Sequence, residues 1–221
     1  LNPDNLNFFI ERRLLRDPQR AVMLNGIGVD LQHFAPAPLP EEPSFLLIAR
    51  LLRDKGVCEY AAAARRMREK HPGVRFRLVG WLDRDNPDTI SEQELDSWID
   101  AGDIEYMGRM DDVRPAIRDC SVYVLPSYHE GTPVSVLEAM SMGRPIITTD
   151  APGCRETVRH GENGMMVPTG DVDALVEAME HFVQYPDKIR QFGLASRTVA
   201  EKKYDVHDVN EVILQSMELA K

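Results

Sequence analysis

Cysteine is scarce: Cys58, Cys120 and Cys154 are the only three in 221 residues. Their spacing is not that of a metal-ligand set, and an odd number does not make a disulfide framework, so a reducing cytoplasm is the compartment this usage suits. No apolar stretch approaches the ~20 residues needed to cross a bilayer. The segment from Leu1 onward also lacks the charged, apolar and small-residue succession of a signal peptide. Positive charge is in deficit: 26 Lys and Arg against 36 Asp and Glu leave a formal net charge of -10. That balance opposes a nucleic-acid or anionic-membrane surface, and no basic patch is interleaved with aromatics. Arg12, Arg13 and Arg16 form a cationic cluster near one end, which a solvated helix face explains as well as lipid contact does. There is no repeat of fixed period. No Gly-x-Gly-x-x-Gly turn follows the apolar run 45–49, which argues against a dinucleotide-dependent oxidoreductase.

What is present is ordinary globular material, 43% hydrophobic and long enough to bury one large core or two small ones. A single domain is the simpler expectation, and a chain that starts at Leu rather than Met reads as a fragment. An amphipathic helix is expected over 5–15 and a strand over 21–24, leading into a turn at 25–30. Pro36, Pro38, Pro40 and Pro43 then make a stiff connector, because each fixes its own φ and restrains the residue before it. Beyond it, strands are expected at 45–49, 74–80, 104–107, 122–126, 146–148 and 165–167. Helices are expected at 57–70, 92–101, 113–119, 133–142, briefly at Arg155, and near 171–184, 187–200 and 207–219. Asp83 to Thr89 reads as a loop rather than a domain boundary. Strands alternating with helices predict an α/β, mostly parallel, doubly wound and Rossmann-like sheet with right-handed crossovers.

The run from Pro126 to Val158 carries the most chemistry. A short apolar strand ends in a polar loop, and Thr132 as cap with Pro133 in the first helical position can open a helix that Gly143 closes. Strand-end crevices of open parallel sheets are where ligands bind, and helix N-termini offer free N–H groups to phosphate. Gly131 and Thr132 are therefore candidate diphosphate contacts, and Glu138 a candidate acceptor for ribose hydroxyls. The competing reading makes Ser135, Glu138 and Ser141 the wet face of a surface helix. Arg50 and Lys55, just past the first strand of this unit, would put two cations at the same sheet end; a solvated basic loop is the alternative. Trp81 can stack on a base or cap the core, and Met140, Met142, Met165 and Met166 read as core filler.

Glu130, seven residues and then Glu138, followed by Ala139, Met140, Gly143 and Pro145, resembles the E-x7-E signature of retaining glycosyltransferases of family 4, which have the GT-B fold. The match extends through Asn25, Gly26, Val29, Asp30 and Phe34, then Arg50, Lys55 and Gly56. It continues at Leu78, Val79, Gly80, Gly108, Pro126, Ser127, Gly153, Glu156, Gly161, Asn163 and Gly164, so it covers nearly the whole chain. Ala49 departs from the usual Gly and still allows close backbone approach.

The resemblance implies a GT-B half: residues 1–24 as the tail of an acceptor domain and 25–221 as the donor domain, inactive alone. It implies transfer of a sugar from a UDP- or GDP-sugar to a hydroxyl of a polysaccharide or lipid-linked glycan, with front-face displacement and retained configuration. Arg50, Lys55 and Glu130 would be catalytic, Glu130 near the transferred sugar. Gly131, Thr132, Pro133, Glu138, Gly80, Trp81 and Arg109 would bind the donor, with the base near Gly80 and Arg109. Gly153, Arg155 and Glu156 would lie near the sugar and phosphates; the alternative is that Arg155 and Glu156 merely pair on a surface helix. His129, variable in the family, reads as an exposed loop residue rather than a general base. No metal site or cofactor is expected; Asp171 and Asp173 read as helix-cap and dipole partners. The acceptor would be held by the missing N-terminal domain, and a full-length enzyme would be cytoplasmic, with peripheral association at the inner face of the membrane left open. The final helix would cross back toward the first domain, leaving Val209, Val212, Ile213 and Met217 partly uncovered and favouring dimers. A GT-B epimerase or hydrolase, or a non-catalytic nucleotide-binding module, remains an alternative.

Overall fold

The computed structural model describes residues 3–15, 17 and 21–217. Six strands form one all-parallel sheet: β1 (Ser44–Arg50), β2 (Arg75–Trp81), β3 (Glu105–Tyr106), β4 (Val122–Leu125), β5 (Ile146–Thr149) and β6 (Gly164–Val167), in the order β3-β2-β1-β4-β5-β6. From β1 the chain builds outward to β3, then returns past β1 to β4 and builds the other way. Adjacent β1 and β4 therefore feed crossovers that leave in opposite directions. In an open parallel sheet, that reversal opens a crevice beyond the strands' C-terminal ends.

Both faces of the sheet are covered, which explains why its central strands are continuous apolar runs rather than alternating ones. From β1, Phe45 and Leu47 enter one core with Phe76, Tyr60, Met67 and Phe182, while Leu46 enters a second with Tyr123, Leu137, Met140 and Tyr204. The first is closed by α2 (Val57–Lys70) and α6 (Val172–Gln184), where Phe45 and Phe76 stack at 5.2 Å. The second is closed by α4 (Arg114–Arg118), α5 (Val134–Ser141) and α7 (Pro186–Lys203). The remaining helices are α1 (Pro3–Glu11), α3 (Glu92–Asp100) and α8 (Val206–Ser216). Asp171 caps α6 by accepting from Ala174 N at 2.9 Å, and Asp173 pairs with Arg66.

Arg144 is completely buried at the end of α5. Its guanidinium donates to the carbonyls of Ile117, Ala37, Met142, Pro38 and Arg118, so it knots the proline-rich connector to α4 and α5. Proline has no N–H but keeps its carbonyl, so Pro38 serves as an acceptor.

Several local expectations change. No strand forms over 21–24, which lies beside no strand of the sheet; Val29 instead makes an isolated bridge with Asp205. The first helix stops at Glu11 and Arg13 adopts a positive φ of 53°. Arg16 and residues 218–219 of the expected last helix lie outside the described residues. Residues 152–157 make consecutive turns rather than a helix at Arg155. Pro133 is the N-cap of α5, not its first helical residue, and no side chain caps that helix. Thr132 is turned against Gly26, where a Cβ would come within 2.8 Å of it. Met140 and Met142 are core residues, whereas Met165 and Met166 only pack against its edges. Among the described residues, no helix is long and apolar enough to cross a membrane.

Candidate functional site

Loops leaving β1, β2 and β4 meet at the C-terminal edge of the sheet. Arg50 is the last residue of β1 and sits in register with Trp81, the last of β2. After β1 the chain makes a short 3-10 turn (Arg53–Lys55), then Gly56 at φ 71°, then α2. A Cβ on Gly56 would lie 2.2 Å from the Pro126 carbonyl oxygen, so the turn can seat against β4 only with glycine there. This contact delivers Lys55 to the loop after β4: its Nζ lies 2.9 Å from Glu130 Oε1 and 3.3 Å from the His129 carbonyl oxygen. Both side chains are largely enclosed, at 15% and 16% exposure. Ser127 Oγ ties the same two loops together by donating to Asp54 O at 3.0 Å.

Glu130 is fixed from the other side by Gly153, whose φ is 84° and where a Cβ would stand 2.0 Å from the Glu130 carbonyl oxygen. Glu130 N also donates to Pro152 O at 2.9 Å. The next N–H groups, of Gly131 and Thr132, donate to no other group among the described residues. They open the segment that leads into α5, where unsatisfied donors give an anion-binding end.

Ser135 and Ser141 do not form a wet face. Tyr123 OH donates to Ile48 O at 3.1 Å and lies 2.7 Å from Ser135 Oγ, while Ser141 Oγ donates to Phe34 O at 2.7 Å. The stripe is polar because it binds these internal partners. Glu138 lies between them, largely buried and without a hydrogen-bond partner among the described residues. Burial, and secondarily the negative charge of Asp112, push its carboxyl up to about 7.

Toward β2, Arg50 Nη1 pairs with Asp83 Oδ2 at 2.9 Å. Arg109 lies over the Trp81 ring, 5.0 Å from its centroid. Trp81 is 40% exposed, so it is not a core cap. Gly80 is buried within β2, its N–H donating to Gly108 O and its carbonyl accepting from Tyr106 OH, both at 2.9 Å. His129 is exposed. Arg155 pairs with Asp150 and Asp4 rather than with Glu156, which keeps one buried oxygen unpartnered.

Sequence reasoning thus placed Arg50, Lys55, Glu130, Gly131, Thr132, Pro133, Gly80, Trp81 and Arg109 on strand ends and the loops that follow them, and Glu138 on the helix α5 that one of those loops opens. The direct pairing is Lys55 with Glu130 on one side and Trp81 with Arg109 on the other. It missed Asp83 and Asp112, whose only signal was an acidic residue in a loop leaving the same edge. The site is an open surface. Cavities of about 400 Å³ lie elsewhere, one around Pro36, Leu39, Gly143 and Leu194 at the opposite sheet end. Another, around Arg53, Cys58, Glu59, Asp88 and Tyr128, adjoins the Lys55 loop.

A family model described as Glycosyl transferases group 1 matches residues 42–184. That span contains β1 through α6, with Glu130 in the loop after β4 and Glu138 on α5. The chain belongs to this family. It is 31% identical over 204 residues to the N,N'-diacetylbacillosaminyl-diphospho-undecaprenol alpha-1,3-N-acetylgalactosaminyltransferase of Campylobacter jejuni, covering 86% of this chain and 51% of that protein. The chain spans about half the length of the curated relatives it matches. Two solved structures share the fold. The C-terminal domain of the group 1 glycosyl transferase LpcC from Francisella tularensis matches with a TM-score of 0.70 and 22% identity, over 80% of this chain and 99% of that domain. Anabaena HepE in complex with UDP-glucose matches with a TM-score of 0.75 and 21% identity, over 87% of this chain and 56% of that one. The six-stranded parallel sheet is that of a GT-B C-terminal domain.

Proposed function

We propose that this chain is the donor-binding half of a retaining GT-B glycosyltransferase that uses a UDP- or GDP-sugar. Residues 25–221 form the donor domain and residues 1–24 the passage from an acceptor domain. The carrying observation is the convergence of Lys55 and Glu130, 2.9 Å apart, at the edge where β1 and β4 diverge. In this reading the diphosphate lies against Arg50, Lys55 and the amides of Gly131 and Thr132, ahead of Pro133. Glu138 accepts hydrogen bonds from the ribose hydroxyls, the base lies near Gly80, Trp81 and Arg109, and Glu130 faces the transferred sugar.

Transfer then proceeds by breaking the bond between the anomeric carbon and the leaving diphosphate while an acceptor hydroxyl bonds to the same face. The cations and amides stabilise the charge gathering on the departing diphosphate. Its oxygen takes the proton from the incoming hydroxyl, so the steps balance without another base. The open strand-end surface supports a second wall supplied by an acceptor domain, which would hold a saccharide or lipid-linked acceptor. HepE in complex with UDP-glucose and the acetylgalactosaminyltransferase of Campylobacter support this donor and acceptor chemistry.

Titration of UDP and GDP onto the 221-residue chain, with a transfer assay in parallel, tests the reading. Binding of one nucleotide without sugar transfer is expected. Robust transfer by this chain alone would refute the division of labour, and failure to bind either nucleotide would remove the donor-site assignment.

A further inference from the structure

The loop after β2 holds the loop after β1 through a set of short bonds. Arg53 N donates to Asp88 O at 2.9 Å, Asp54 N to Asp88 Oδ2 at 2.8 Å, and Ile90 N to Leu51 O at 3.0 Å. Thr89 Oγ1 adds a bond to Leu51 O at 3.1 Å. The same loop is braced internally: Asn86 N donates to Asp83 O at 2.9 Å, Thr89 N to Asn86 O at 3.1 Å, and Asp88 N to Asn86 Oδ1 at 3.0 Å. Asp83 is therefore a carboxylate on a fixed mount, at 27% side-chain exposure, reaching a 44% exposed Arg50.

An arginine at a strand end has many rotamers, and ordering it costs side-chain entropy whenever a ligand must do so. Asp83 Oδ2 takes Nη1, on the side of the guanidinium away from Nε. Nε and Nη2 keep their parallel N–H bonds, the fork that matches a phosphate. A bare carboxylate this near an anion would repel it, but one paired to the cation that contacts the anion pre-aligns that cation instead.

We infer that Asp83 is the positioning residue for Arg50, holding its guanidinium at the end of β1 with one edge turned out for the donor diphosphate. The inference rests on the donor-site reading above. Asp83 touches no phosphate itself and acts through Arg50.

The test is calorimetric titration of UDP and GDP onto the 221-residue chain and its Asp83→Ala, Asp83→Asn, Asp83→Glu, Arg50→Ala and Asp83→Ala/Arg50→Ala variants, with thermal unfolding of each. Asp83→Ala should weaken binding about three- to fivefold, the scale of an exposed ion pair. Asp83→Asn should fall between it and wild type, and Asp83→Glu should recover part of the loss. In the Arg50→Ala background, removing Asp83 should change nothing. Equal or tighter binding by Asp83→Ala would overturn the inference, showing a carboxylate that merely competes with phosphate. Losses that multiply in the double variant would also overturn it, because Asp83 would then act independently of Arg50. A wild-type chain that binds neither nucleotide removes the donor-site reading, and this assignment with it.

Discussion

Replacing Glu138 by glutamine should make this protein more stable at alkaline pH and less able to bind nucleotide. Burial and Asp112 raise the carboxyl from 4.5 to about 7 in the fold. Between those values the native state holds a proton that the unfolded chain has released, so stability falls as pH rises and the full cost applies above about pH 7. At about 1.4 kcal/mol per pH unit, that difference corresponds to about 3 kcal/mol; partial solvent access reduces the expectation to about 1–2 kcal/mol. Glutamine keeps the shape without the charge. Urea unfolding at about pH 5.5 and about pH 8.5 spans roughly three-fifths of that window, so the stability advantage of Glu138→Gln should grow by about 0.5–1 kcal/mol between the two. Nucleotide affinity at the higher pH should drop by about 1.5–3 kcal/mol, roughly 10- to 150-fold, as ribose hydroxyls lose a charged acceptor. A stability gap that does not change with pH would refute the account of Glu138 as a buried charge.

The remaining predictions concern the supports of the site. For the wild type, nucleotide affinity should rise with pH through about 7 as Glu138 ionises, and calorimetry of Glu138→Gln should show that rise abolished. Gly56→Ala forces a Cβ to 2.2 Å from Pro126 O in a left-handed backbone. It should cost at least about 1–2 kcal/mol in urea unfolding and weaken UDP or GDP binding, because the turn that presents Lys55 must move. Lys55→Ala should weaken diphosphate binding by about 1.5–3 kcal/mol by calorimetry while leaving nucleoside binding nearly unchanged. Arg144→Met strips several buried carbonyls of their donor and should lower stability by about 3 kcal/mol or more, read from thermal unfolding, although it is remote from the site.

Elements stabilised by local pattern were readable from the sequence. The apolar runs of β1, β2, β4 and β5, the Asp171 cap and the left-handed Gly143 after α5 needed only neighbouring residues, and the parallel order followed from their alternation with helices. Residues 21–24 failed because strand propensity means little without a partner strand. Ser135 and Ser141 misled because their acceptors, Ile48 O and Phe34 O, are distant in sequence. Thr132 was assigned by its place before the helix, but Gly26, more than a hundred residues earlier, decides where its side chain goes. Arg144 gave no signal at all, since a buried arginine is defined by the carbonyls around it. Candidate site residues were legible as residues of strand ends and their loops, and Glu138 as part of the polar stripe of α5. Their pairings, Lys55 with Glu130 and Arg50 with Asp83, come from loops that only the tertiary fold brings together.

The most direct measurement is a crystal structure of this chain with a bound nucleoside diphosphate. The account predicts phosphate oxygens within hydrogen-bond distance of Arg50, Lys55 and the Gly131 and Thr132 amides, with the ribose on Glu138. A nucleotide lodged instead in the cavity beside Pro36 and Leu194, leaving the edge between β1 and β4 empty, would contradict it.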